Sequence, residues 1–134
     1  MVSQDDIKSN VLTMENLYFE FINFQGTGTT APQQGVSKVG YKEEHNINND
    51  LLEISLYCKV ETEEIFQIEL CLKGVFKASS EEMANKLLPN AIAIMFPYLR
   101  AQVSILTSMP NIPTISLEPI NINAFLEKQN NITD

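Results

Sequence analysis

Apolar and polar residues alternate most cleanly between Leu51 and Val60. Leu52, Ile54, Leu56, Cys58 and Val60 share one parity, and Glu53, Ser55, Tyr57, Lys59 and Glu61 share the other. A period of two predicts a strand buried on one face. Ile65 to Phe76 repeats the pattern, with Phe66, Ile68, Leu70 and Leu72 on its apolar side. The acidic gap around Thr62 is short enough for a hairpin, and the two apolar faces coincide only if its loop has an odd number of residues. Val11 to Phe24 predicts an earlier strand of a different kind. Val11, Leu17, Phe19 and Phe21 lie on one parity; Leu12, Met14, Tyr18, Ile22 and Phe24 lie on the other. Both faces then carry apolar surface, so both need cover: a helix of the same chain on one side, a further surface such as another subunit on the other.

Between these strands, Gln25 to Asp50 is rich in Gly, Thr, Gln, Asn and Lys. So long a connection predicts a crossover between non-adjacent strands, with a short extended piece at Val36, Val39 and Tyr41. His45, in this polar stretch, reads as a solvated loop residue. Ser79-Ser80-Glu81-Glu82 is a capping-box signature and predicts a helix start. Pro89 should end that helix, and a longer one should run to about Ser108 with a kink at Pro97. Ala91 to Met95 is apolar all round, which predicts burial on more than one side. Phe96, Leu99, Val103 and Leu106 form one stripe; Tyr98, Ala101 and Ile105 add to a second. Three prolines make Met109 to Pro119 an extended connection. Asn121 to Lys128 predicts a last short helix with Ile122, Phe125 and Leu126 inward, fraying from Asn130. Strands first and helices after predict an α+β fold on one antiparallel sheet.

The 134 residues suit one domain spanning 1–134, and 44% hydrophobic residues suffice for a core. The formal charge of -8 argues against nucleic acid or an anionic membrane as a partner. No stretch reads as membrane-inserting and the first ten residues hold no signal-peptide pattern, so the expected compartment is the cytoplasm. Cys58 and Cys71 fall on opposite parities and are expected to be free thiols. Catalysis finds little support. There is no nucleophile elbow, phosphate-cradling loop or metal-ligand cluster, and one histidine leaves few triads to build. Glu61, Glu63 and Glu64 read as a solvated hairpin tip. We expect no enzyme, cofactor or metal.

The C-terminal third resembles the SecB protein-export chaperone family. Phe96-Pro97-Tyr98-Leu99-Arg100 is similar to that family's Phe-Pro-Tyr-x-Arg. Pro113-Thr114-Ile115-Ser116-Leu117-Glu118-Pro119-Ile120-Asn121 and Ala124-Phe125-Leu126 are similar to its Pro-x-Leu-x-Leu-x-Pro-Val-Asn and Ala-Leu-Phe. Gly74-Val75-Phe76 is similar to its Gly-Ile-Phe at a strand end. The resemblance implies a four-stranded antiparallel sheet with helices packed on one side. It implies assembly through the main helix and first strand into a dimer of dimers, so that a homodimer or homotetramer is expected here, and binding of unfolded polypeptides for delivery to the SecA translocase. In the family, acidic residues on the first strand help dock SecA; Phe21 and Gln25 stand at the matching positions here, and Glu69 alone keeps a matching acid. The acidic, Asn-rich chain also resembles the uncharacterised SecB-like proteins of Gram-positive bacteria.

Two readings follow: a SecB-like chaperone, favoured by an open apolar groove, or a dedicated interaction scaffold on the same fold, favoured by a groove filled by its own loop. The peptide-binding candidates are Phe24, Tyr41, Ile112 and Ile115. The oligomer-interface candidates are Leu17, Phe19, Phe21, Phe96, Ala101 and Ile105. Glu69 is the partner-docking candidate.

Overall fold

The computed structural model describes residues 1–3, 12–26, 37–62, 65–110, 112 and 114–133. Four strands, β1 (Leu12–Gly26), β2 (Ser37–Asn48), β3 (Leu51–Thr62) and β4 (Phe66–Ala78), are followed by helices α1 (Glu81–Lys86), α2 (Leu88–Leu106) and α3 (Ile122–Thr133). All pairings are antiparallel, in the order β1-β4-β3-β2. The chain therefore crosses from one sheet edge to the other between β1 and β2, the crossover that the long polar connection predicts.

The β3–β4 hairpin has the expected parity. Thr62 pairs with Phe66, leaving three residues in the loop, so Leu52, Ile54, Leu56, Cys58 and Val60 share a face with Ile68, Leu70, Leu72 and Phe76 and are buried with them. Glu63 and Glu64 lie outside the described residues. Cys58 and Cys71 are both buried and free. Cys71 sits on the opposite face, beneath the cross-strand neighbourhood of Phe21 and Tyr57.

Three expectations are corrected. First, β1 is not a regular strand. Its register slips between Met14 and Asn16 and again between Phe19 and Phe21. Each bulge inserts one residue, Glu15 and Glu20, and inverts the parity that follows. Leu12, Leu17, Phe19 and Phe24 consequently all pack on the core, and Tyr18 and Phe21 are the large residues left on the open face. Second, β2 is a full strand of 12 residues, and His45 lies within it rather than in a loop. It closes on β3 through Asn49-Asp50, where Asn49 adopts φ 57°, a conformation its short side chain tolerates in hairpin turns. Third, α3 continues to Thr133.

The helices start where local chemistry directs. Ser80 is the N-cap of α1, its Oγ accepting from the Met83 amide at 3.1 Å, with Glu81 and Glu82 favourably placed in the first turn. Pro89 falls at the start of α2, where its missing N–H removes no intrahelical bond. Asn121 Oδ1 caps α3 through the Ala124 amide at 3.0 Å. α2 lays Ala91, Ile92, Met95, Phe96, Leu99 and Val103 on the sheet and runs on through Pro97.

Candidate functional surfaces

The outward side of α2 is also apolar. Ile94, Tyr98 and Ile105 are 43%, 51% and 64% exposed, with Ala101 exposed between them. Spacings of four, three and four make positions 94, 98, 101 and 105 one seam. Phe96, a candidate for contact between subunits, instead points inward and packs against Tyr41 with ring centroids 5.4 Å apart.

The polar side of α2 holds the connection to α3. Arg100 Nε donates to the Leu117 carbonyl at 2.8 Å and Ser104 Oγ to that of Ile115 at 3.3 Å. Thr107, fully buried, donates to the Val103 carbonyl at 2.9 Å and accepts the Ile115 amide at 2.9 Å. Leu117 is buried, and Ile112, Ile115 and Ile120 pack on the core half-buried. The familiar run around Phe96-Pro97-Tyr98-Leu99-Arg100 thus has a local reason: Phe96 and Leu99 fill the core and Arg100 ties down the loop. Thr107→Val should leave the Ile115 amide without its acceptor and cost about 1–3 kcal/mol; equilibrium denaturation checks this, and an unchanged midpoint would contradict it.

Of the peptide-binding candidates, Phe24 stacks on Phe66 at 5.7 Å on edge strand β1. Tyr41 lies on the other edge, β2, between Phe96 and Phe125, whose ring is 6.3 Å away. Three inter-strand spacings, about 14 Å, separate them, so they do not line one pocket. Ile112 and Ile115 belong to the docked loop. Beside Tyr41, burial pushes the Cys58 thiol up to about 12. Burial, with Cys58 adding to it and Arg100 opposing, raises the Tyr41 phenol to about 12. Both groups ionise more readily in the unfolded chain. Their contribution to stability is therefore complete below the unfolded values of roughly 8.5 and 10 and is lost as pH rises through the folded ones. The melting temperature should fall between about pH 9 and 12, and Cys58→Ala with Tyr41→Phe should flatten that fall.

Further along β2, Glu43 has a side chain with no exposed surface. His45 Nδ1 bonds to both its carboxylate oxygens, at 3.0 Å to Oε2. The Glu43 amide donates to Gln129 Oε1 of α3 at 2.6 Å. Sequence reading missed this cluster because a charged, Asn-flanked segment looks like a loop; the only trace of it was the run Val39, Tyr41, Glu43, His45, Ile47 on one parity.

The open face of the sheet is laced with ion pairs: Lys42–Glu44 at 2.9 Å, Lys59–Glu61 at 3.0 Å, Lys59–Glu69 at 3.7 Å and Lys73–Glu20 at 3.4 Å. The docking candidate Glu69 is thus engaged by Lys59, and Gln67 Nε2 donates to it at 3.0 Å. Between the Phe21 and Tyr57 rings and Gly40 lies a shallow apolar concavity of ≈ 290 Å³. Among the described residues no three His, Cys, Asp or Glu side chains gather as a metal would require, and no helix is long and apolar enough to cross a membrane.

A four-stranded antiparallel sheet carrying its helices on one face, with α2 across the middle and α3 along an edge, is the architecture of SecB-like proteins. A Mycobacterium tuberculosis SecB-like chaperone, solved in complex with a ChAD peptide from the HigA1 antitoxin, superposes with a TM-score of 0.65 at 13% identity, covering 83% of this chain and 88% of that one. The chain belongs to the SecB family: the model of preprotein translocase subunit SecB matches residues 9–132. Among curated relatives, the protein-export protein SecB of Methylococcus capsulatus is 32% identical over 58% of this chain and 52% of its own length. That of Hahella chejuensis is 24% identical over 87% and 81%. An uncharacterised protein of Methanocaldococcus jannaschii is 52% identical over 25% and 21%. The chain thus spans about half the length of the first of these relatives.

Proposed function

We propose that the protein binds unfolded or extended polypeptides as a SecB-like chaperone, in the cytoplasm and as a homodimer or homotetramer. The observation that carries this reading is the SecB family match over 124 residues, 9 to 132, of a chain of 134. Two surfaces support it: the exposed seam Ile94, Tyr98, Ala101 and Ile105 for self-association, with Phe21 on the open face as a second contact, and the sheet edges and apolar loop for polypeptide. Leu17, Phe19 and Phe96 serve assembly by fixing β1 and α2 in place, since they pack inward. Phe24, Tyr41, Ile112 and Ile115 contribute as half-buried residues that a bound segment reaches by displacing a neighbour. The reading does not extend to SecA, because Phe21 and Gln25 replace acids and Glu69 is engaged by Lys59. The chemistry is binding, not catalysis.

The docked loop favours a second reading, a dedicated scaffold that accepts one partner. Titrating a reduced, alkylated, permanently unfolded protein and its folded parent separates them. Micromolar or tighter binding of the unfolded form alone supports the chaperone; binding of neither, by a well-folded oligomer, supports the scaffold.

A further inference from the structure

Helix α2 carries two stripes that hold different things. Outward lies the seam of Ile94, Tyr98, Ala101 and Ile105. About 100° around the helix, one residue before the last two of these, stand Arg100 and Ser104, followed by Thr107; their spacing of four and three is that of the seam itself. This second stripe holds the connection to α3 by its main chain. Arg100 Nε donates to the Leu117 carbonyl at 2.8 Å, Ser104 Oγ donates to the Ile115 carbonyl at 3.3 Å, and the Ile115 amide donates to Thr107 Oγ1 at 2.9 Å. The segment runs back along the helix, because two extended residues and four helical ones cover nearly the same length, about 6–7 Å.

Thr107 ties the helix end to the segment. The last turn of α2 has no basic side chain to meet its carbonyls, and hydroxyls reinforce it instead. Thr107 Oγ1 donates to the Val103 carbonyl at 2.9 Å, and Ser108 Oγ donates to that of Ser104 at 2.6 Å. The hydroxyl that closes the turn is thus the one that accepts the Ile115 amide, and Thr107 is fully buried. If the segment lifts, water reaches this hydroxyl and competes for its bond to Val103. Ile105 stands on the same turn. It is 64% exposed, so little of its own chain packs around it, and the turn alone sets its place in the seam. A turn ordered beforehand lowers the entropic cost of joining a second copy. A second copy held against Ile105 in turn keeps the turn formed and Thr107 in place for Ile115.

We propose that α2 couples assembly to the closure of its loop: contact between two copies along the seam and docking of residues 114–121 stabilise one another. A dissociated subunit then loosens the segment and bares Ile115, Leu117 and Ile120, which pack on the core when it is docked. The contact between copies rests on the function proposed above; the tie at Thr107 does not. Coupling of this kind is reciprocal, so each event favours the other by the same factor.

Hydrogen exchange of the Ile115 amide reads the docking, and sedimentation of the full-length chain reads the assembly. Diluting the wild-type protein through its dissociation range should speed exchange at Ile115 at least about fivefold. Tyr98→Glu with Ile105→Glu should do the same at high concentration. Exchange at Leu70, in the middle of the sheet, should rise less in both cases, because the loosening is local. In the other direction, Arg100→Met with Ser104→Ala removes two of the segment's bonds and no residue of the seam. Exchange at Ile115 should rise in this variant, and its dissociation constant should rise several-fold with it. Ile115 exchange that is indifferent to dissociation, or that changes only in step with Leu70, overturns the coupling and leaves the subunit contact standing. Faster exchange in the Arg100→Met, Ser104→Ala variant at an unchanged dissociation constant overturns it equally. A mass left unchanged by Tyr98→Glu with Ile105→Glu removes the subunit contact along the seam, and the coupling with it.

Discussion

Gly74→Val is expected to be the most damaging single substitution in the sheet, lowering stability by about 3 kcal/mol and the melting temperature by roughly 10 °C. Gly74 faces α2 on the central strand β4. A Cβ there would stand 2.8 Å from the Met95 sulfur and 2.8 Å from a ring carbon of Phe76. Both neighbours are fully buried, so neither has space into which to move. The helix would have to rise from the sheet and loosen Ile92, Leu99 and Val103 with it. Gly40 supplies the control. A Cβ there meets nothing within 4 Å, and Gly40→Val should be neutral or stabilising by up to about 1 kcal/mol, because it replaces a poor strand former with a good one. Equal losses at the two glycines, by thermal and denaturant unfolding, would contradict the close approach at Gly74.

The second large effect is on assembly. Tyr98→Glu combined with Ile105→Glu places two charges in the outward seam of α2 and touches no residue of the core. If the seam joins subunits, each buried anchor is worth about 2 kcal/mol or more, so self-association should weaken at least about a hundredfold. Sedimentation should show a fall to smaller species with the circular dichroism of the wild type. An unchanged mass would remove the seam from the interface and leave Phe21 and β1 to account for it.

How far the sequence speaks differs from element to element for physical reasons. The β3–β4 hairpin was legible because one face is fully buried and the period of two is unbroken; even the odd loop followed from it. The start of α1 and the break at Pro89 were legible because capping and proline act within a few residues. β1 misled because a bulge leaves no mark in composition. Apolar residues on both parities are what a strand buried on both faces has, and equally what a one-sided strand with two inserted residues has. β2 was obscured because an edge strand carries charge, and because its cover, Phe125 and Gln129, lies some 85 residues away along the chain, beyond any local pattern. The seam on α2 is half visible in the sequence: Tyr98, Ala101 and Ile105 share a stripe, but Ile94 falls in a stretch apolar all round. The sequence pattern puts the peptide-binding candidates in loops bordering a groove, whereas the structure distributes them over both sheet edges and a docked loop.

The central claim, that this member of the SecB family holds unfolded polypeptide, is tested most directly by light scattering of an aggregating client refolded with the purified protein, with the oligomer mass recorded in the same sample. The account predicts suppression of scattering at or below one oligomer per client, by a stable dimer or tetramer that carries the client with it. A folded oligomer that leaves several unrelated clients to aggregate at their own rates would contradict it.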